Sequence, residues 1–203
     1  MQLKLGFSPC PNDTFIFNAI VNGLISDPEI SFTVELGDVE ALNQAAIRHQ
    51  ADITKLSFGT VPKVSANYQV LDAGAALGFG CGPLLVARKP ITVEKFLSAR
   101  VAIPGFHTTA NLLMSMAFPI IRDKREFLFS EIEDAVLNGD ADLGLIIHEN
   151  RFTFESRGLV KVVDLGELWE QNYKLPVPLG CIAIRRDLDE SVKRKVSGLI
   201  RKS

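Results

Sequence analysis

Two stretches of the sequence resemble each other ninety positions apart: Ile47-Arg48-His49-Gln50-Ala51-Asp52-Ile53 and Leu137-Asn138-Gly139-Asp140-Ala141-Asp142-Leu143. Each leads from a helix-like segment through Ala-Asp into an apolar segment with the character of a buried strand. Because Ala-Asp before a strand is common, the match alone leaves open both structural duplication and chance.

The pattern on either side of these stretches favours duplication. Short apolar segments alternate with helical-period segments, which is typical of α/β layers around a mostly parallel sheet. Predicted strands cover Leu3–Phe7, Ile30–Leu36, Asp52–Leu56, Gln69–Ala73, Pro83–Ala87, Arg100–Ile103, Asp142–Ile147 and Leu179–Ile184. Predicted helices cover Asp13–Asn22, Val39–Arg48, Phe58–Ala66, Thr108–Phe118 and Ser130–Asn138, and a stripe of Val192, Val196, Leu199 and Ile200 predicts a last helix packed on a lobe. We therefore expect two similar lobes, residues 1–86 plus 186–203 and residues 87–185.

Composition limits the possible partners. The 203 residues include 47% hydrophobic and 23% charged residues, which is ordinary for a globular protein, and the formal net charge is -2. Nothing in this balance indicates a sequence-independent affinity for nucleic acid. No apolar run reaches membrane-spanning length, so no stable membrane insertion is expected.

The cysteines and the amino terminus bear on the compartment. Cys10, Cys81 and Cys181 are odd in number and lack metal-ligand spacing, so neither a disulfide framework nor a metal site is indicated. The first residues are interrupted too soon by polar residues and proline for a secretory signal. We expect a cytoplasmic protein.

Four loops follow predicted strands at their carboxyl ends, where ligands bind in open α/β sheets. They are Ser8–Thr14, Lys55–Ser57, Gly105–Thr109 and His148–Asn150. If the lobes face each other, these loops line one cleft.

Each loop also has a purely structural interpretation. Asn12 or Asp13 can cap the helix that follows the first strand. Thr108 and Thr109 begin a helix whose dipole and N–H groups favour an anion such as a carboxylate, but N-capping by Thr108 explains the sequence equally well. Lys55 and Ser57 offer a cation and a hydroxyl.

The sequence has three histidines, of which His148 ends an apolar strand that would hold it rigidly. A neutral imidazole near pH 7 suits proton abstraction, although the spacing leaves a structural or solvated role equally open. His49 lies near a predicted helix end, where a solvated role is expected, and His107 lies beside the proposed anion site.

Other motifs point away from several enzyme classes. The glycines at 74, 78, 80 and 82 lead into an extended run instead of a helix, which contradicts a dinucleotide or phosphate loop. The hydrolase, zinc-protease and redox motifs G-x-S-x-G, H-E-x-x-H and C-x-x-C do not occur. The charged run 123–126 is interpreted as solvated surface.

A family resemblance begins at Ser8-Pro9-Cys10-Pro11-Asn12-Asp13-Thr14-Phe15-Ile16-Phe17, which looks like the 1,4-dihydroxy-6-naphthoate synthase family of the futalosine route to menaquinone. Further similar segments occur in the family's order: Lys55-Leu56-Ser57-Phe58, Gly80-Cys81-Gly82-Pro83-Leu84, Thr108-Thr109-Ala110 and Ile146-Ile147-His148-Glu149. The resemblance covers nearly the whole chain.

This resemblance implies a two-lobed periplasmic-binding-protein-like fold of type II with a cleft, used as a carbon–carbon lyase. It implies conversion of cyclic dehypoxanthine futalosine, a carboxylated small molecule, into 1,4-dihydroxy-6-naphthoate and a dihydroxyacetone fragment, with no metal or other cofactor. His148 matches the family's proton acceptor, and Lys55, Leu56 and Ser57 together with Thr108, Thr109 and Ala110 match its substrate contacts. From the first loop, Asn12 and Asp13 are further candidate substrate contacts.

Two questions remain open at this point. The family usually carries more C-terminal helix than the segment ending at Ser203, so a shortened C-terminal helical region is expected, and a homodimer is possible. The alternatives to a lyase are a non-catalytic binding protein for a small carboxylate and an enzyme like chorismate dehydratase of the same pathway.

Overall fold

The chain folds as two α/β units in the computed structural model, which describes residues 1–203. Unit 1 comprises Met1–Ala76 and Gly180–Ser203, and unit 2 comprises Leu77–Leu179. The sequence predicted that the chain crosses between the units at 86/87 and 185/186. Both crossings lie earlier in the structure, at 76/77 and 179/180. The reason is that residues 84–87 join the sheet of unit 2, whereas residues 180–185 join the sheet of unit 1.

The first part of unit 1 alternates strands and helices. In chain order it contains β1 (Gln2–Phe7), α1 (Pro11–Val21), β2 (Ser31–Leu36), α2 (Val39–Ile47), β3 (Ile53–Ser57), α3 (Val61–Val64) and β4 (Tyr68–Val70), with a 3₁₀ turn at Phe58–Thr60 before α3. A short strand, β5 (Ala76–Gly78), lies where the chain leaves this unit.

Unit 2 repeats the alternation around its own sheet. It contains β6 (Leu84–Ala87), α4 (Val93–Leu97), β7 (Val101–Ile103), α5 (Thr109–Ala117), β8 (Lys124–Glu126), α6 (Ile132–Asn138), β9 (Leu143–Ile146), α7 (Asn150–Thr153), β10 (Val160–Asp164) and α8 (Leu165–Tyr173), with 3₁₀ turns at Phe129–Glu131 and Phe154–Arg157. The chain then returns through β11 (Val177–Arg185) to α9 (Glu190–Lys202).

The sheets are mixed rather than mostly parallel. In unit 1 the strand order is β2-β1-β3-β11-β4, where β1 is parallel to β2 and β3 while β11 is antiparallel to β3 and β4. In unit 2 the order is β10-β6-β9-β7-β8, where β7 is parallel to β8 and β9 while β6 is antiparallel to β9 and β10. The antiparallel strands are those next to the crossings between the units.

The two Ala-Asp stretches have the same structural role. In unit 1 Asp52 Oδ2 accepts a hydrogen bond from Lys4 N (2.8 Å), and Asp52 N donates to Lys4 O (3.2 Å). In unit 2 Asp142 Oδ2 accepts from Arg100 N (2.9 Å), and Asp142 N donates to Arg100 O (2.9 Å). Each aspartate thus ties the start of one parallel strand to its neighbour and pairs with an arginine. The two stretches therefore share one local arrangement, which supports structural duplication.

The final helix completes the core of unit 1. Val196, Leu199 and Ile200 of α9 are buried in one cluster with residues of β1, α1 and β11, and Val192 packs against that cluster. The predicted helical stripe is therefore confirmed.

Parallel neighbours bring the predicted loops to one edge within each sheet. The carboxyl ends of β1 and β3 lead to Ser8 and to Phe58, and those of β7 and β9 lead to Pro104 and to Ile147. No helix is both long and apolar enough to cross a membrane.

Candidate functional site

Asp13 is the centre of a polar cluster at the carboxyl edge of the unit 1 sheet. The helix α1 begins at Pro11 with Cys10 at its N-cap and no side-chain cap, so the expectation that Asn12 or Asp13 caps it is wrong. Asp13 instead points inward, where its Oδ2 accepts from Ser8 Oγ (2.8 Å) and Ser8 N (3.2 Å). Asn12 is exposed beside it.

Lys55 joins this cluster from β3. Its Nζ lies 3.1 Å from Asp13 Oδ1 and donates to Gly74 O at 3.1 Å, with both side chains largely buried. The buried ammonium is therefore neutralised by one carboxylate and fixed by one carbonyl. This pair was not foreseen from the sequence, because the two residues lie far apart along the chain.

The rest of the Lys55–Ser57 segment is also held firmly. Asn43 Nδ2 donates to Ser57 Oγ (3.1 Å), and Ser57 N donates to Asn43 Oδ1 (3.0 Å). Leu56 is 2% exposed and packs in the core with Cys181, so only its main chain is available to a ligand. Burial raises the pKa of the Cys181 thiol to about 12, which keeps it neutral at pH 7.

In unit 2, Thr108 caps helix α5 as the structural interpretation predicted. Its Oγ1 accepts from Asn111 N (3.2 Å) and donates to Gly105 O (2.8 Å). Thr109 Oγ1 donates to Leu179 O (2.9 Å), and Ala110 is buried in the core. The loop is held further by Phe106 N, which donates to Glu126 Oε1 at 2.7 Å.

Residues 123–126 are not simply solvated surface, which corrects the sequence interpretation. They contribute β8, whose Lys124 is partly buried, and Lys124 Nζ donates to Asn111 Oδ1 (3.0 Å) and Ser115 Oγ (2.7 Å) on α5. Burial lowers the pKa of Lys124. This lysine braces the first turns of the helix that Thr108 caps.

His148 follows the end of β9 in an uncommon backbone conformation. Its φ is 56°, in the left-handed region that side chains other than glycine rarely adopt. The imidazole is partly exposed and meets the Phe129 ring edge to face, with 5.3 Å between ring centroids. Residues held in this region cluster at functional sites, where surrounding contacts impose the strain.

The residues after His148 form contacts that the sequence did not reveal. Asn150 Nδ2 donates to the buried Glu133 Oε2 (2.9 Å), and Arg151 pairs with the buried Asp164 (2.5 Å). Glu149 is exposed. No group of three or more His, Cys, Asp or Glu side chains is arranged to hold a metal ion.

The sequence is similar to proteins of one family along nearly its whole length. A family model described as "Menaquinone biosynthesis" matches residues 3–203. A protein of Thermus thermophilus named 1,4-dihydroxy-6-naphtoate synthase is 46% identical over 205 residues, which are 99% of this chain and 72% of that protein. The chain belongs to the menaquinone-biosynthesis family. A synthase of the same name from Streptomyces coelicolor is 38% identical over 207 residues, again 99% of this chain and 72% of that protein.

Solved structures confirm the expected fold of this menaquinone-biosynthesis protein. Protein AF1704 from Archaeoglobus fulgidus is 36% identical with a TM-score of 0.90, covering 99% of this chain and 74% of that one. The alkanesulfonate-binding protein SsuA from Xanthomonas axonopodis pv. citri is 12% identical with a TM-score of 0.72, and the match covers 98% of this chain and 71% of that one. A substrate-binding protein of an amino acid ABC transporter is 14% identical with a TM-score of 0.68, and the match covers 100% of this chain and 92% of that one. The last two likenesses concern the fold alone, which is of the periplasmic-binding-protein type II.

Proposed function

We propose that this protein is a 1,4-dihydroxy-6-naphthoate synthase. It would cleave cyclic dehypoxanthine futalosine into 1,4-dihydroxy-6-naphthoate and a dihydroxyacetone fragment, as a cytoplasmic carbon–carbon lyase that needs no cofactor. The observation that carries the proposal is 46% identity, over 99% of the chain, to a curated synthase of that name. The Ser8–Phe17 loop and the His148 strand end resemble the same family.

His148 is the proposed general base. The imidazole removes a proton from a substrate hydroxyl, and the O–H electron pair forms a carbonyl while the adjacent C–C bond breaks. The electron pair of that bond passes to the ring fragment, which takes up a proton from the imidazolium and becomes aromatic. The proton balance closes without an oxidant or reductant, and a correctly placed base contributes about 100- to 10,000-fold to such a step.

The proposed substrate contacts lie at the carboxyl ends of the strands or in the first turns of the helices that follow them. In unit 1 they are Asn12, Asp13 and the segment Lys55–Ser57, and in unit 2 they are Thr108, Thr109 and Ala110. Since Leu56 and Ala110 have buried side chains, their proposed contacts are made by the main chain. The Lys55 ammonium can donate to a substrate oxygen, while Asp13 neutralises its charge and sets its position.

The test is turnover of cyclic dehypoxanthine futalosine by purified protein, with the naphthoate product followed by chromatography. We expect His148→Ala to lower kcat by about 100- to 10,000-fold. His49→Ala is a matched control, because His49 also has a positive φ, 58°, and lies on an exposed turn of unit 1 after α2. Both variants keep a Cβ in the left-handed region and so keep the backbone strain, whereas loss of the base affects only one.

Two results would contradict the proposal at different levels. Equal turnover by His148→Ala and the parent protein would remove His148 as the base while leaving the activity. Binding of the substrate without any turnover by the parent would favour a non-catalytic binding protein instead.

A further inference from the structure

The left-handed backbone at His148 requires support from its surroundings. A residue other than glycine in this region costs on the order of 1–3 kcal/mol, so neighbouring contacts must over-determine it. The residues directly after His148 make such contacts on two sides, through Asn150 and through Arg151.

The first contact joins the turn to helix α6. Asn150 Nδ2 and Arg157 Nη1 both lie 2.9 Å from Glu133 Oε2, and Glu133 is 2% exposed. Its other oxygen, Oε1, is buried without a hydrogen-bond partner in the protein. Leaving a buried acceptor unpaired costs about 1–3 kcal/mol, which offsets part of what the two contacts of Oε2 contribute to stability. Glu133 is also one turn along from Phe129, whose ring contacts His148.

The second contact joins the turn to β10 and to the glycine-rich segment. Arg151 Nη2 lies 2.5 Å from Asp164 Oδ2, and Arg151 Nη1 donates to Gly82 O at 2.9 Å. Gly82 is packed so closely that a Cβ there would lie 2.7 Å from the Cα of Gly166. The segment is further fixed by Gly80 N, which donates to Glu170 Oε1 at 2.7 Å. Arg151 is thus attached to backbone that has little freedom to move.

We propose that Glu133 and Asp164 are positioning residues, which hold His148 in its left-handed geometry through Asn150 and Arg151. Neither carboxylate touches the imidazole through these contacts; each fixes a residue of the turn that carries it. The inference rests on the proposed role of His148 as the base. It explains why a buried carboxylate with an unpaired oxygen lies behind that turn.

The sharpest test replaces Glu133, because leucine removes the acceptor of Asn150 whereas glutamine of nearly the same shape keeps one. Glu133→Leu removes the unpaired buried oxygen and the acceptor of Asn150, while Arg157 keeps its ion pair with Asp134. We expect a folded protein with a lower free energy of unfolding, because Asn150 and Arg157 lose their shared acceptor, with kcat about 10- to 100-fold lower and KM within about twofold. Glu133→Gln keeps an acceptor for Asn150 and should restore most of kcat.

Two further variants test the turn itself. Asn150→Ala should resemble Glu133→Leu, and Arg151→Lys should lower kcat because a single ammonium replaces the two separate guanidinium contacts with Gly82 and Asp164. The matched controls are Asn138→Ala and Arg122→Lys, which change exposed residues of the same unit and should keep the parent kcat.

A spectroscopic readout separates this inference from the proposed activity. The chain has three histidines, so imidazole ¹⁵N signals are few, and the His148 signal is identified by its absence in His148→Ala. Glu133→Leu and Asn150→Ala should shift or broaden the His148 signal and leave that of His49 in place. An unchanged His148 signal and kcat in these folded variants would overturn the positioning role. Absence of turnover in the parent would instead overturn the proposed activity. The His148 ¹⁵N signal would still show whether the contacts of Asn150 and Arg151 hold the imidazole in place.

Discussion

The aspartates of the two Ala-Asp stretches show how one residue type can fix a parallel strand pair. Each accepts the backbone N–H at the start of the neighbouring strand and meets an arginine, Arg185 for Asp52 and Arg100 for Asp142. Asp142 also lies 2.9 Å from Lys95 Nζ. The hydrogen bond from the Arg100 side chain holds the pKa of Asp142 well below its usual range, and the Arg100 backbone N–H and Lys95 act in the same direction.

We expect Asp142→Asn to lower the free energy of unfolding by about 1–3 kcal/mol at pH 7, because hydrogen bonds to a charged acceptor are replaced by weaker ones. The folded-state pKa is depressed, so this contribution is present above the unfolded pKa of about 3.9 and is lost as the pH falls through the folded value. Denaturant unfolding should therefore show a difference in the free energy of unfolding between the variant and the parent, and this difference should narrow below about pH 4.

Asp140→Asn is the control for this substitution, since Asp140 is exposed two residues earlier. It should change the free energy of unfolding by no more than about 0.5 kcal/mol. If the difference in the free energy of unfolding between Asp142→Asn and the parent stayed constant down to pH 2, the ionised carboxylate of Asp142 would not be what stabilises the fold.

Among the elements, the sequence predicted several with a strong apolar period but missed others, including α4, α7, α8, β8 and β10. Helices α2 and α5 and strands β1 and β9 were found because a buried face leaves a clear spacing of apolar residues. Strand β8 was missed because its three residues, Lys124–Glu126, are all charged and it lies at the edge of its sheet. It is a strand because it forms hydrogen bonds with β7, and the local sequence pattern does not show such a contact.

The candidate site shows the same division between local pattern and long-range contact. The carboxyl-end rule selected the segments that contain Asp13, Lys55, Thr108 and His148, although Lys55 lies within β3 and Asp13 within α1. It could not pair Asp13 with Lys55, nor Asn150 with Glu133, because these partners meet only after folding. The inward turn of Asp13 was missed because an acidic residue in the first turn of a helix is ordinarily a solvated one.

Helix α9 offers a test at the scale of one element. Ile200 is buried against the core of unit 1, and Arg194 lies on the exposed side of the same helix. We expect Ile200→Ala to lower the free energy of unfolding by about 2–5 kcal/mol through lost burial and the cavity left behind. Arg194→Ala should stay within about 0.5 kcal/mol of the parent in the same denaturant experiment. Similar small effects of both substitutions would show that α9 does not support this core.

At the scale of the whole molecule, the two units use the chain in different ways. Unit 2 is one continuous segment, and its five-stranded sheet lies entirely between β6 and β10. Unit 1 is discontinuous, since β11 lies between β3 and β4 in its sheet. Ile182 and Ile184 of β11, with Val196 and Leu199 of α9, also belong to its core. Without these late elements β4 has no neighbouring strand, and the core loses its covering helix.

We therefore expect the fragment 77–179 to fold alone and the fragment 1–76 to remain unfolded. Circular dichroism during denaturant titration should give one cooperative transition for the first and none for the second. Adding a synthetic 180–203 peptide to the 1–76 fragment should restore a transition, because it supplies β11 residues and α9 to a sheet that is otherwise interrupted. Cooperative unfolding of 1–76 by itself would contradict this dependence. Failure of 77–179 to fold would show instead that the continuous unit needs the rest of the chain.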